Sequence, residues 1–136
     1  INVYSYPELF NNYGTRVVQS GSISGNRAYN DIGLTGNGIT VGVADTGVDR
    51  LSCYFRDSDD DGDSSVADSS YNNVQSDYSH RKIISYVAYA DSVDGTGHGT
   101  HVAGTIAGSM TSSSSSDRTY DGVAPDSLIA FYDVGE

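Results

Sequence analysis

A chain of 136 residues holds one domain with a real core, yet falls well short of the roughly 250 residues that large α/β enzymes often use. Its formal net charge of −11 sets 18 acidic residues, all but two of them Asp, against 7 Lys and Arg, which excludes nucleic acid as a partner because phosphates demand basic side chains. No stretch approaches the ~20 apolar residues of a membrane span, and the lone cysteine, Cys53, leaves no disulfide to form within the chain.

The chain opens at Ile1 without a Met, a basic stretch or an apolar leader, so its true start is expected upstream or removed by processing. Residues 1–26 are polar and Tyr-bearing, with Val17 and Val18 as an isolated aliphatic pair, and read as an extended N-terminal segment. Arg27 to Ile32 predicts a short helix, stopped by Gly33, Gly36 and Gly38. Ile39 to Ala44 is apolar on both alternations, as in a parallel strand covered on both faces, and it runs directly into Asp45.

From Arg56 to Asp77 the chain turns Asp- and Ser-rich and loses hydrophobic periodicity, which predicts a long loop inserted within one domain. Ile83 to Tyr89 is a second strand. Thr100 to Ser109 places Val102, Ala103, Ile106 and Ala107 at helical spacing and reads as a buried helix packed closely on a sheet. Met110 to Asp117 is a serine tract with the composition of a loop, and Leu128 to Val134 is a closing strand. The order strand, loop, strand, helix, strand predicts an α/β fold: a mainly parallel sheet flanked by helices, incomplete in this chain.

Ligands and catalytic groups of open α/β sheets gather at the carboxyl ends of strands, where Asp45 falls. An Asp after a strand is also a common turn or cap residue, so the second motif decides. His98 sits between Gly97 and Gly99 at the start of the predicted helix, where an imidazole is both held and open to a ligand. His98 and His101 stand at i and i+3, a spacing that suggests zinc, but the metalloprotease pattern needs a Glu where this chain has Gly99. His101 therefore reads as a packed neighbour, and His80 as a surface residue. Gly36, Gly38 and Gly42 precede or interrupt the strand instead of following it, which dismisses nucleotide binding.

Val43-Ala44-Asp45-Thr46-Gly47 and Gly97-His98-Gly99-Thr100-His101-Val102-Ala103-Gly104, with Gly122-Val123-Ala124-Pro125 before the last strand, together resemble the Asp and His segments of the subtilisin-like serine peptidases. The resemblance covers about residues 27–136 and implies the N-terminal part of such a peptidase domain. It implies peptide-bond hydrolysis with His98 as general base and Asp45 orienting it. The nucleophilic Ser and the oxyanion Asn would lie beyond Glu136, in the remainder of the catalytic domain. No cofactor is needed for this catalysis, the substrate is a polypeptide, and the family's usual export implies a secreted or secretory-pathway protein.

Ser109, followed by Met110 as the family's Ser is by Met, lies at the far end of the helix that starts near His98. A rise of about 1.5 Å per residue carries its hydroxyl out of reach, and the tract Ser112 to Ser116 has no base beside it.

Asp45 and His98 stand 53 positions apart, farther than in compact members of the family, and the extra length includes the acidic loop. There Asp57, Asp59, Asp61, Gly62, Asp63 and Asp68 follow an EF-hand-type spacing, with Asp in place of the final Glu. The loop is a candidate for a structural calcium ion; a solvated acidic loop is the alternative. Two other readings of the chain stay open: a non-catalytic interaction or calcium-binding module that has lost the nucleophile, and an aspartic peptidase in which Asp45-Thr46-Gly47 supplies one of two paired carboxylates.

Overall fold

The computed structural model describes residues 11–57, 68–69, 76–110 and 117–135. Four strands, β1 (Thr40–Asp45), β2 (Asp68–Ser69), β3 (Ile83–Ala88) and β4 (Leu128–Asp133), form one sheet in the order β1-β4-β3-β2. Every pairing in it is parallel. Helices α1 (Asn11–Ser20), α2 (Ala28–Asp31) and α3 (His98–Ala107) flank the sheet, with a short 3-10 turn at Asp117–Tyr120. The α/β class and its parallel sheet are thus as the sequence predicts.

Pattern explains the strands' positions. The first five residues of β3 are all buried, which fits an interior strand of a parallel sheet. On β4 burial alternates, with Ile129, Phe131 and Asp133 buried, so one face meets α3 across the core. The core joins Val43, Ile83, Tyr86, Ile129 and Phe131 of the sheet to Ala103 and Ala107 of α3, with Val48 and Phe55 from the intervening loop. Tyr86 and Phe131 stack with ring centroids 5.6 Å apart. The small alanines of α3 let the helix approach the strands, and the crossover from β3 through α3 to β4 makes the βαβ unit that parallel neighbours require.

Four expectations need correction. Of the stretch read as extended, residues 1–10 lie outside the described residues and Asn11–Ser20 is helical: Thr15 and Gln19, one turn apart, are buried, and Gln19 Oε1 accepts the amides of Tyr29 and Asn30 at the start of α2. The helix is held by tertiary hydrogen bonds that no apolar periodicity announces. β1 is covered on one face alone: α3 packs on the face of Val43, and Thr40, Gly42 and Ala44 on the opposite face are exposed. Within the acidic insertion 56–77, Asp68–Ser69 pairs with Tyr86 and Val87, through backbone groups that need no hydrophobic pattern.

His80, expected at the surface, is 2% exposed. Its Nδ1 accepts the amides of Lys82 and Ile83, which fixes the chain as it enters β3. Lys82 is buried as well, its Nζ donating to the carbonyls of Pro125 and Ser127. Arg81 donates to the carbonyls of Arg56, Cys53 and Ser109, binding the start of the acidic segment to the end of α3.

Candidate active site

β1 ends in Asp45, and α3 begins at His98, so the carboxyl end of a strand and the amino end of a helix bring the two side chains together. Asp45 Oδ1 lies 2.6 Å from His98 Nδ1 and also accepts the Thr46 amide at 2.8 Å. A carboxylate only accepts, so Nδ1 carries the proton and Nε2 is left as the basic nitrogen. The His98 side chain is 67% exposed while that of Asp45 is 14% exposed. One member of the pair is fixed in the protein and the other faces outward.

Electrostatics follow the geometry. Burial pushes the Asp45 carboxyl up, but hydrogen bonds from His98 and the Thr46 amide together outweigh it and hold the group below its ordinary value. The His98 imidazole is raised, first by its hydrogen bond to Asp45 and then by that residue's charge, with a smaller push from the charge of Asp94.

Two glycines permit the approach. A Cβ on Gly99 would stand 2.1 Å from the carbonyl oxygen of Gly47, and one on Gly47, whose φ is +120°, would stand 2.6 Å from that of Val93. Backbone therefore packs on backbone where the Asp45 segment crosses the start of α3. The free amides of the helix's first turn are met by side chains: His98 by Thr96 Oγ1, Gly99 by Thr46 Oγ1, and Thr100 by Asp94 Oδ2. Asp94 is the residue that the motifs alone miss. Its signal was an acidic side chain a few positions ahead of an apolar helix, the usual mark of a capping group.

The remaining candidates lie apart. His101 is half-buried along a cavity of about 270 Å³, with Thr15, Tyr54, Phe55 and Tyr120. Ser109 follows the end of α3, buried, its amide donating to the Tyr54 carbonyl. Of the five proposed calcium ligands, Asp57 accepts the Arg81 amide through Oδ1 and sits 3.7 Å from His80 Nε2 through Oδ2. Asp59, Asp61 and Asp63 lie outside the described residues, as do Ser112 to Ser116, and of Asp68 only the backbone is described. Among the described residues no group of three or more His, Cys, Asp or Glu side chains is arranged to hold a metal ion, and no helix is long and apolar enough to cross a membrane.

Comparison with known proteins gives a consistent result. A sequence model described as the subtilase family matches residues 36–136. Three proteins of Dictyostelium discoideum named serine protease/ABC transporter B family proteins are similar: tagB is 40% identical over 105 residues, 76% of this chain, and tagD is 39% identical over 108. The third, tagA, is 38% identical over 130 residues, 91% of the chain. The chain spans only 5–6% of the length of these relatives. No solved structure matches it significantly.

Proposed function

The chain belongs to the subtilase family of serine peptidases, and from that premise we propose that it contributes the acid and the base of a serine endopeptidase whose nucleophile comes from sequence outside these 136 residues. One observation carries the proposal: the 2.6 Å contact between Asp45 Oδ1 and His98 Nδ1, with the imidazole facing outward.

In this mechanism Asp45 holds His98 in the tautomer with the proton on Nδ1. Nε2 then takes the hydroxyl proton of Ser as the oxygen attacks the scissile carbonyl, and Asp45 steadies the imidazolium that forms. Nε2 next gives the proton to the leaving amine, and a water molecule repeats the sequence to release the acyl group. The substrate is a polypeptide, and no cofactor takes part. The aspartic-peptidase alternative has no support in this geometry, because the partner of Asp45 is an imidazole and not a second carboxylate.

The test is peptide hydrolysis by the full-length natural protein, with fluorophosphonate labelling. Wild type is expected to label and turn over, while His98→Ala abolishes both. Turnover that survives His98→Ala would place the catalysis outside this Asp45–His98 pair, and a full-length protein that neither labels nor turns over would leave the non-catalytic module as the answer. Family grounds extend the proposal to a secreted or secretory-pathway location, checked by looking for the protein in the culture medium. A structural calcium ion in the acidic loop is proposed on the spacing of Asp57, Asp59, Asp61, Asp63 and Asp68. Chelation is expected to lower the melting temperature of the wild-type protein, and to lower it less in an Asp57→Asn variant.

A further inference from the structure

The nine residues between β3 and His98 run over the surface, and every one of them except Asp94 is exposed. Apart from Tyr89, whose ring stacks on Tyr132 of β4, hydrogen bonds hold this connection. Asp94 Oδ1 accepts from Thr46 Oγ1 and from the Gly97 amide, both at 2.9 Å. Its Oδ2 accepts from the Thr100 amide at 2.8 Å and from Thr100 Oγ1 at 2.5 Å. A helix cap needs only the last of these amides. The two threonine hydroxyls carry the network across to the other half of the site: Thr46 Oγ1 also accepts the Gly99 amide at 3.1 Å, and Thr100 Oγ1 accepts the Asp49 amide at 2.8 Å.

Asp94 is thus the common anchor of two bridges, one through each threonine. They bind residues 46 and 49, just past β1, to the first turn of α3. Asp45 precedes one bridge and His98 lies inside the other. We propose that Asp94 is a positioning residue for the general base, clamping the Asp45 segment to the amino end of α3 so that the Asp45–His98 hydrogen bond is set before substrate arrives. This rests on the subtilase mechanism above, and it assigns Asp94 no contact with substrate.

Two further facts agree with it. Burial works to raise the Asp94 carboxyl, but the hydrogen bonds from Thr100, Thr46 and Gly97 outweigh it and keep the group below its ordinary value, so it stays an acceptor through neutral pH. Its charge also adds, as a smaller contribution, to that of Asp45 in raising the His98 imidazole.

The experiment compares Asp94→Asn and Thr46→Val with wild type in the full-length natural protein, with active sites counted by fluorophosphonate. Asn keeps the shape of Asp, but its amide nitrogen cannot accept a hydrogen bond. The expected result for Asp94→Asn is kcat lowered about 10²-fold, the effect of a misplacement on the order of 1 Å, at unchanged KM. The acid limb of kcat/KM moves to lower pH, and the NMR signal of the His98 Nδ1 proton broadens through faster exchange. Thr46→Val, which breaks one bridge without removing charge, lowers kcat in the same direction with a smaller shift of the acid limb.

A lowered melting temperature with wild-type kcat per counted site and an unmoved acid limb would make Asp94 a plain helix cap and overturn the inference. Thr46→Val decides alone if Asp94→Asn does not fold. Asp45→Asn and His98→Ala serve as controls: if they too leave turnover intact, the family mechanism has failed, whereas if they abolish it and the clamp variants do not, only the role of Asp94 falls.

Discussion

His98 and Asp45 perturb each other in opposite senses, and both consequences are measurable. A general base must be neutral, so kcat/KM falls as pH drops through the raised value of His98. Asp45→Asn removes the charge that raises it and reverses the hydrogen bond, since the Asn amide donates to Nδ1. The acid limb is then expected to move to lower pH while kcat falls on the order of 10⁴-fold, because the wrong tautomer is presented to the nucleophile; a pH–rate profile of the variant checks both. Folding is linked to pH through the same pair. The contribution of His98 is present below its unfolded value and lost as pH rises through the raised folded one. That of Asp45 is present above its unfolded value and lost as pH falls through the depressed one. The pair therefore stabilises the fold between the ordinary Asp and His values and fades outside that window.

At the level of elements, the site depends on how closely α3 lies on the turn after β1. Gly99→Ala places a methyl 2.1 Å from the Gly47 carbonyl oxygen, where neither backbone can yield without moving the helix start. Overpacking of this kind costs about 1–3 kcal/mol. The expected outcome is a lower melting temperature together with a loss of kcat of roughly 10²-fold, read by thermal unfolding and turnover on the same preparation. Lys82 acts at the opposite end of the sheet. Burial, and next the charge of Arg81, lower its ammonium to about 8. Between that value and the ordinary one the unfolded chain binds a proton that the folded chain does not, so this group makes stability rise with pH. Lys82→Met lacks that rise. Denaturant unfolding is expected to show the variant falling further behind wild type at pH 10 than at pH 8.

For the molecule as a whole, charge and apolar surface oppose each other. Ile23, Ile32, Leu34 and Ile39 are each more than half exposed, and one face of β1 is uncovered, while the net charge of −11 makes copies repel. At about 1 M salt the screening length shrinks to about 3 Å, and burial of apolar surface then prevails. The 136-residue chain on its own is expected to sediment as a monomer at low salt and to associate at high salt; a monomer at both would show that these apolar side chains do not form a connected patch.

Sequence by itself determined the parallel α/β class and the family, since short β-branched runs, a helix of small apolar residues and two motif strings need no tertiary information. It also marked Asp45 and His98, but through the resemblance of their two motifs, since a strand's end and a helix's start are equally addresses of caps and turns. What only the tertiary structure decided lies in long-range hydrogen bonds between polar groups. The helix at Asn11–Ser20, the burial of His80 and Lys82, the two-residue strand at Asp68–Ser69 and the clamp at Asp94 all depend on partners up to about a hundred positions away. Hydrophobic patterning records which side chains leave water, and so it foretells strands and core. A polar side chain looks the same in sequence whether it faces solvent or a buried carbonyl, and only the folded chain supplies the partner that distinguishes the two.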